Sequence, residues 1–497
     1  MRATIFLLAI LQLASCQKGF KGNNKANLPP KTFMVSDTIV RAEANRYTSQ
    51  VHIQWWGSDP DGYVVRYKLS TDLKIWSSTT KTDSIFSLQL PAGSDSFDFR
   101  IFIKAVDNED LEDPGYATLV YPTRNSAPTI SFVNPNGGAG ITTRNPVRSL
   151  PMLKYYFSPI DPDGSDDLDR TELVLNDTTK PLYVLPPNYK EIVLKAATPK
   201  ATSSICKVLT GSSLTEQPTA LVGLKLNDTN ILYVRSVDRV GSKSKWVAAK
   251  PIYVKQQHSD ILLVNGYTGS SRLSVQSFFA SAILKGNTAL DTLQASEVVN
   301  SNYTELASDN VTQALQFSLY KHILWFTDDA NSNLSFAQKN SGSFFANGGT
   351  MFMSVGFSTN FDTTAGHLGF TPASRLVPSL TGQTFRMVSG ATVSPIPAGW
   401  PTLSANASPF IARSVFQFDN SPSYTYQYLY NGQITITGVG ANPTWQQVDS
   451  TNLVLKRTNT NSTKTDFIFS SVPIEKLDGN NNIDLFFKKA LKDELGF

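Results

Sequence analysis

Only two cysteines, Cys16 and Cys206, and four histidines, His52, His258, His322 and His367, occur in 497 residues. That scarcity excludes a disulfide framework and a cysteine-based zinc site. No two histidines stand four apart, so the helical spacing of zinc hydrolases is absent as well. Charge is sparse and nearly balanced, with 17 % charged residues, 44 basic against 40 acidic, and a net charge of +4. Nucleic-acid binding asks for a concentrated basic patch, which such a balance does not provide. No residue pattern calls for a cofactor. What is present is a chain of 41 % hydrophobic residues, enough for packed modules, and long enough for two to four domains. Cys206, in Ser204-Ile205-Cys206-Lys207-Val208, reads as a small buried hydrophobe rather than a reactive thiol.

The amino terminus is distinctive. Arg2 precedes an apolar stretch that ends in Leu13-Ala14-Ser15-Cys16. A basic start, a short apolar core and small residues before the break make a secretory signal. The stretch falls short of the about 20 apolar residues that a bilayer-spanning helix needs. Leu-Ala-Ser-Cys resembles the lipobox of bacterial lipoproteins. That resemblance implies removal of residues 1–15, lipid on the Cys16 thiol, and anchoring in a membrane of the cell envelope, periplasmic or at the outer-membrane surface. Residues 16–30 hold Gly, Asn, Lys and little to bury, as a flexible tether with a reach of about 20 Å does.

From 31 to 126 the pattern has period two. Val51, Ile53 and Trp55 alternate with polar neighbours, as do Phe99, Ile101, Ile103 and Ala105, each run placing one apolar face inward. Turn chemistry such as Asp59-Pro60-Asp61-Gly62 separates the runs, which predicts a β-sandwich. Trp55, Asp61-Gly62, Tyr67 and Phe99 to Asp107 resemble the fibronectin type III and related immunoglobulin-like modules. The landmarks recur in 127–257. Asp161-Pro162-Asp163-Gly164 repeats the turn, and Tyr233 to Gly241 repeats the penultimate strand. Extra residues around Pro181 to Pro218 make this second copy a decorated one, and Asn125-Ser126-Ala127-Pro128 is the natural joint.

After His258 the period changes. Ile261-Leu262-Leu263-Val264 and His322-Ile323-Leu324-Trp325-Phe326 are continuous apolar runs, the mark of strands covered on both faces. Helices are expected at Arg272 to Lys285, Leu334 to Ala346 and Asp484 to Leu495, the second stopped by Asn347-Gly348-Gly349. Alternating strands and helices predict a parallel sheet. Leu262 to Gly266, Ile323 to Asp328 and Asn347 to Ser354 resemble the class I glutamine amidotransferase-like domain. That resemblance implies an α/β flavodoxin-like fold for 258–497, with a β-rich insertion from about 370 to 465 packed on the sheet.

Enzymes of that family carry a cysteine nucleophile on a sharp strand-to-helix turn flanked by glycines, with a histidine and an acid later in the chain. Here the segment is Phe352-Met353-Ser354-Val355-Gly356. The cysteine and the first glycine are missing, and the family's C-terminal region offers Pro473-Ile474-Glu475 without a histidine. Ser354 with His367 is the one candidate pair left, and a degenerate centre is the plainer expectation. Ligands of open α/β sheets sit beyond the carboxyl ends of the strands, so Asn265, Tyr267, Asp328, Asp329, Ser354 and Gly356 form a candidate crevice. Asp328 and Asp329 read equally as a helix N-cap with a solvated neighbour. Asp161, Asp163 and Asp166, followed by Glu172, faintly resemble a calcium loop, although Asp-Pro-Asp-Gly is also a standard turn.

The sequence therefore predicts two all-β sandwiches followed by an α/β domain, in an envelope lipoprotein that binds or scaffolds without catalysis. Its expected partners are the membrane, through lipid, and an envelope polysaccharide or protein. An envelope hydrolase using Ser354 or strand-end carboxylates is one alternative, and adhesion through the sandwiches alone is another.

Overall fold

The computed structural model describes residues 25–497 apart from 41–48, 89–93, 95, 134–145, 300–301, 307–308, 360, 362–365, 378–381, 407–408 and 439–450. The expected signal peptide, Cys16 and tether residues 16–24 lie outside the described residues. No helix among the described residues is long and apolar enough to cross a membrane. The chain is mostly β and divides into two compact units. One comprises residues 1–128, 161–168 and 238–242, and the other comprises 129–160, 169–237 and 243–497.

The first unit holds a two-sheet sandwich. Lys31–Val40, Ser49–Ser58 and Asp83–Leu88 form one sheet. Ser77–Thr79, Val64–Ser70, Ser96–Asp107 and Ala117–Arg124 form the other. The alternation in the sequence is realised residue by residue. Val51, Ile53, Trp55, Ile101, Ile103 and Ala105 are buried together with Tyr67, whose ring meets Trp55 edge-on at 6.3 Å. The end of the expected tether is part of this body. Asn27 Nδ2 donates to Asp107 Oδ2 at 2.6 Å, and the Leu28 amide donates to Asp61.

The second unit begins with another β-sandwich. A five-stranded sheet contains Thr129–Phe132, Met152–Ile160, Glu191–Ala196, Ser203–Thr210 and Thr215–Lys225. Leu168–Leu175 and Leu232–Asp238 run in a four-stranded sheet. The decoration consists of the Glu191 to Lys225 strands, which extend the sheet instead of looping out. Cys206 is fully buried among Val208, Leu194 and Leu221, and burial pushes its thiol up to about 12, as expected of an inert hydrophobe.

A nine-stranded sheet follows in the same unit. Five strands run parallel in the spatial order Asp291–Gln294, Ile261–Asn265, His322–Thr327, Thr350–Val355, Thr465–Ser470. In chain order they are second, first, third, fourth and fifth. The continuous apolar runs are explained by cores on both faces. Leu262, Val264, Ile323 and Trp325 pack on one side, while Ile261, Leu263, Leu324 and Phe326 pack on the other. Helices Arg272–Leu284, Asn310–Phe317 and Ala330–Asn340 cover it. Three details differ from expectation. The helix placed at Leu334 to Ala346 is two helices, divided at Ser341 before Gly342–Ala346. The terminal helix runs Ile483–Phe487 and then widens into a π-turn segment, Lys488–Glu494. The insertion does not only pack on the sheet: Asn452–Asn459, Tyr424–Gly432, Thr392–Pro395 and Leu403–Ser404 continue it as antiparallel strands. The sandwich and the α/β part share contacts. Leu150 sits in the α/β core, and Gln316 Nε2 donates to Ser149 Oγ at 3.1 Å.

Candidate functional site

Strand order reverses between Ile261–Asn265 and His322–Thr327, and in open α/β sheets such a switch point leaves a crevice beyond the strand ends. The loop Gly266-Tyr267-Thr268-Gly269 leaves the first of these strands, and Asp328-Asp329 leaves the second. Gly266 is required by close approach, because a Cβ there would stand 2.2 Å from Asn333 Oδ1 and 2.9 Å from Thr327 Cβ. Its carbonyl accepts from Ser296 Oγ at 2.8 Å and Thr327 Oγ1 at 3.0 Å. That hydrogen-bonded knot fixes the loop beyond the Ile261–Asn265 strand.

The candidate residues take different roles. Asp328, half-buried, accepts the Thr268 amide at 2.7 Å, the Thr268 hydroxyl at 3.1 Å and the Gly269 amide at 3.1 Å. It thus fills with its own carboxylate the pair of amides that an anionic ligand would use. Asp329 caps the Ala330–Asn340 helix, accepting from the Ser332 amide. The capping reading therefore holds for Asp329, whereas Asp328 is a bonded neighbour and not a merely solvated one. Asn265 is fully buried and internal, its Oδ1 accepting from the Tyr267 amide and its Nδ2 donating to Gln276. Gly356 is half-buried and packs on the Asp328 backbone.

Ser354 is not a crevice residue. It is 1 % exposed and lies within the Thr350–Val355 strand, not on a strand-to-helix elbow. Its Oγ accepts the Ile474 amide at 3.0 Å and donates to the Val472 carbonyl at 3.4 Å. His367 instead meets the Phe361 ring edge-on. No hydrogen bond joins Ser354 to His367 among the described residues, so the expected pair is not assembled.

The sequence reading noted Glu475 within Pro473-Ile474-Glu475 but gave it no role. Its side chain accepts the Tyr267 hydroxyl across 208 residues of chain, and its second oxygen is buried without a partner among the described residues. Burial raises the Glu475 carboxyl and the nearby Asp328 charge adds to it, while the Tyr267 hydrogen bond opposes both. Burial and the Glu475 charge likewise raise the Tyr267 phenol. Pro473-Ile474-Glu475 was the one local signal, since it lies where the resembled family keeps its acid.

The acidic loop of the second sandwich differs by one residue from the expected set. One carboxylate oxygen of each of Asp161, Asp163 and Asp167 lies within 4.8 Å of the other two. Asp166 is exposed and outside this group, and Glu172 pairs instead with Arg235 at 2.6 Å and Arg170 at 3.0 Å.

No family model and no curated protein matches the chain. Solved structures align with parts of it. The fibronectin(III)-like modules of Clostridium thermocellum CbhA share 13 % identity, covering 45 % of this chain and 95 % of that one, with a TM-score of 0.18. A two-domain fibronectin type-III segment from chicken tenascin shares 14 %, covering 45 % and 98 %, at 0.18. The PKD1 domain of Vibrio anguillarum Epp shares 15 %, covering 20 % and 95 %, at 0.14. At scores this low the sandwich assignment rests on the strand pairing itself.

Proposed function

We propose that this chain is a lipid-anchored protein of the cell envelope that works by binding and not by catalysis. Its ligand surface is the strand-end crevice of a degenerate, flavodoxin-like domain related to the class I amidotransferases. The observation that carries this reading is the closure of Ser354 between Val472 and Ile474 at the family's nucleophile position. A hydroxyl so enclosed meets no substrate. The chain order second, first, third, fourth, fifth across the parallel strands supports the flavodoxin-like fold, and the lipobox-like Leu13-Ala14-Ser15-Cys16 supports the anchor. The sandwiches are rigid spacers that present the α/β domain to an envelope polysaccharide or protein.

The test is equilibrium binding of the full chain to purified envelope polysaccharide, comparing wild type with Thr268→Trp. Thr268 is exposed at the crevice mouth, so the bulky ring obstructs the site without entering the core. Binding weakens at least about tenfold if the crevice is the site. Equal binding by the two proteins, or release of hydrolysis products from the polysaccharide, contradicts the reading. In fractionated cells, Cys16→Ser moves the chain out of the membrane pellet.

A further inference from the structure

One clasp occurs twice in the unit comprising residues 1–128, 161–168 and 238–242. In the first copy Asn27 Nδ2 donates to Asp107 Oδ2 and the Leu28 amide to Asp61. In the second, Asn125 Nδ2 donates to Asp238 Oδ2 at 2.6 Å and the Ser126 amide to Asp163 Oδ2. The Asp-Pro-Asp-Gly turn and the aspartate after the penultimate strand therefore do the same structural work in both copies. Hydrogen bonds within the protein account for that work.

The second copy has an acid beyond this requirement. After Gly164, at φ 124°, the chain makes the short 3-10 turn Ser165–Asp167, which brings the Asp167 carboxylate to Asp161 and Asp163. The first copy passes from Gly62 almost directly into Val64–Ser70 and has no counterpart. Asp161 is only 6 % exposed. Its Oδ1 accepts the Asp163 amide at 2.8 Å, and its Oδ2 is buried with no hydrogen-bond partner among the described residues. Burial, joined by the charges of Asp167, Asp163 and Asp238 and opposed by the Asp163 amide, pushes this carboxyl up to about 6. Asp167 is raised as well, by burial and by Asp238 and Asp163, with Arg239 the one opposing charge. A buried, unpartnered carboxylate oxygen in a ring of acids is a group lacking its counter-charge.

We propose that Asp161, Asp163 and Asp167 bind one Ca²⁺ ion, with water completing its shell. Two oxygens on opposite sides of Ca²⁺, bonded at about 2.4 Å, stand about 4.8 Å apart. The three carboxylate oxygens lie no farther apart than that span. The ion supplies the missing partner of Asp161 Oδ2 and fixes the loop that holds the Ser126 amide.

Calorimetric titration of the chelator-treated full chain with CaCl₂, paired with thermal unfolding in calcium and in chelator, tests this. One ion binds per chain, with a dissociation constant on the order of 0.1–1 mM, the range of extracellular modules, and calcium raises the unfolding temperature. Asp161→Asn and Asp167→Asn each weaken binding at least about tenfold, while Asp166→Asn binds as wild type. Both Asn variants remove a repelling charge, so in chelator they unfold no earlier than wild type, and their loss of calcium response is not misfolding. Absence of heat and of a thermal shift at about ten times that concentration overturns the proposal, as does unchanged affinity in Asp167→Asn.

Discussion

Replacing Gly266 by alanine tests the close packing beyond the Ile261–Asn265 strand. The added Cβ would stand 2.2 Å from Asn333 Oδ1, 2.7 Å from its Cγ and 2.9 Å from Thr327 Cβ, all closer than van der Waals contact. Asn333 has no free space to move into. Its Oδ1 accepts the Trp325 indole N–H at 3.0 Å, its Nδ2 donates to the Asp329 carbonyl at 3.1 Å, and it is buried. Displacing it leaves the indole N–H of a fully buried tryptophan unpaired, at about 1–3 kcal/mol. The crowding adds about 1–3 kcal/mol, so Gly266→Ala is expected to cost about 2–6 kcal/mol. Urea unfolding followed by tryptophan fluorescence measures it. Because the closest clash is with the Asn333 side chain, Asn333→Ala in the same chain is non-additive. The double variant costs less than the two single costs together by at least about 1 kcal/mol. A Gly266→Ala protein within about 0.5 kcal/mol of wild type, or strict additivity with Asn333→Ala, refutes the reasoning.

Other sites give sharper chemical contrasts. Ser354→Ala leaves the buried Ile474 amide without its acceptor and lowers stability by about 1–3 kcal/mol in the same urea titration, where a nucleophile held for catalysis costs nothing. Arg457 makes a two-pronged pair with Asp466, at 2.9 Å and 3.1 Å, and lies over the rings of Phe345 and Tyr424. Arg457→Met strands the Asp466 carboxylate and costs about 3–5 kcal/mol. In calcium-free buffer the folded chain holds Asp161 at about 6 against 3.8 for a free aspartate. The folded state thus binds the extra proton between those values. The Asp161 contribution to stability is full below about pH 4 and is lost as the pH rises through about 6. Asp161→Asn flattens that slope in unfolding curves taken across the interval, and an identical slope in the variant contradicts the assignment.

The β-sandwiches were legible because period-two alternation is a local signal, and Val51, Ile53 and Trp55 carry it without help from distant residues. The parallel strands were legible where both faces are covered. The Asp291–Gln294 strand escaped because it lies at the sheet edge, where Asp291 can serve as acceptor for the His258 and Ser259 amides and no continuous apolar run is needed. The Asn310–Phe317 helix had a readable start, since Asp309 caps it through the Thr312 amide, but its buried face includes Thr312, Gln313 and Gln316, which disguise the apolar period. The site was legible only in part. Asp328 and Asp329 were found from strand ends, yet which of them caps the helix depends on backbone geometry. Glu475 reaches Tyr267 through tertiary packing across the whole domain. Asp167 rather than Asp166 joins the acidic group because a single 3-10 turn decides which carboxylate faces inward, and spacing alone does not record that turn.

Treatment of the folded full chain with a serine-directed fluorophosphonate, followed by peptide mass spectrometry, tests most directly whether the α/β domain has any nucleophile left. A chain that acts by binding alone yields no adduct on the peptide containing Ser354, and it labels no more than a Ser354→Ala control. A stoichiometric adduct on Ser354 that is lost in the control would show a reactive hydroxyl where the structure has a closed one, and would contradict the account.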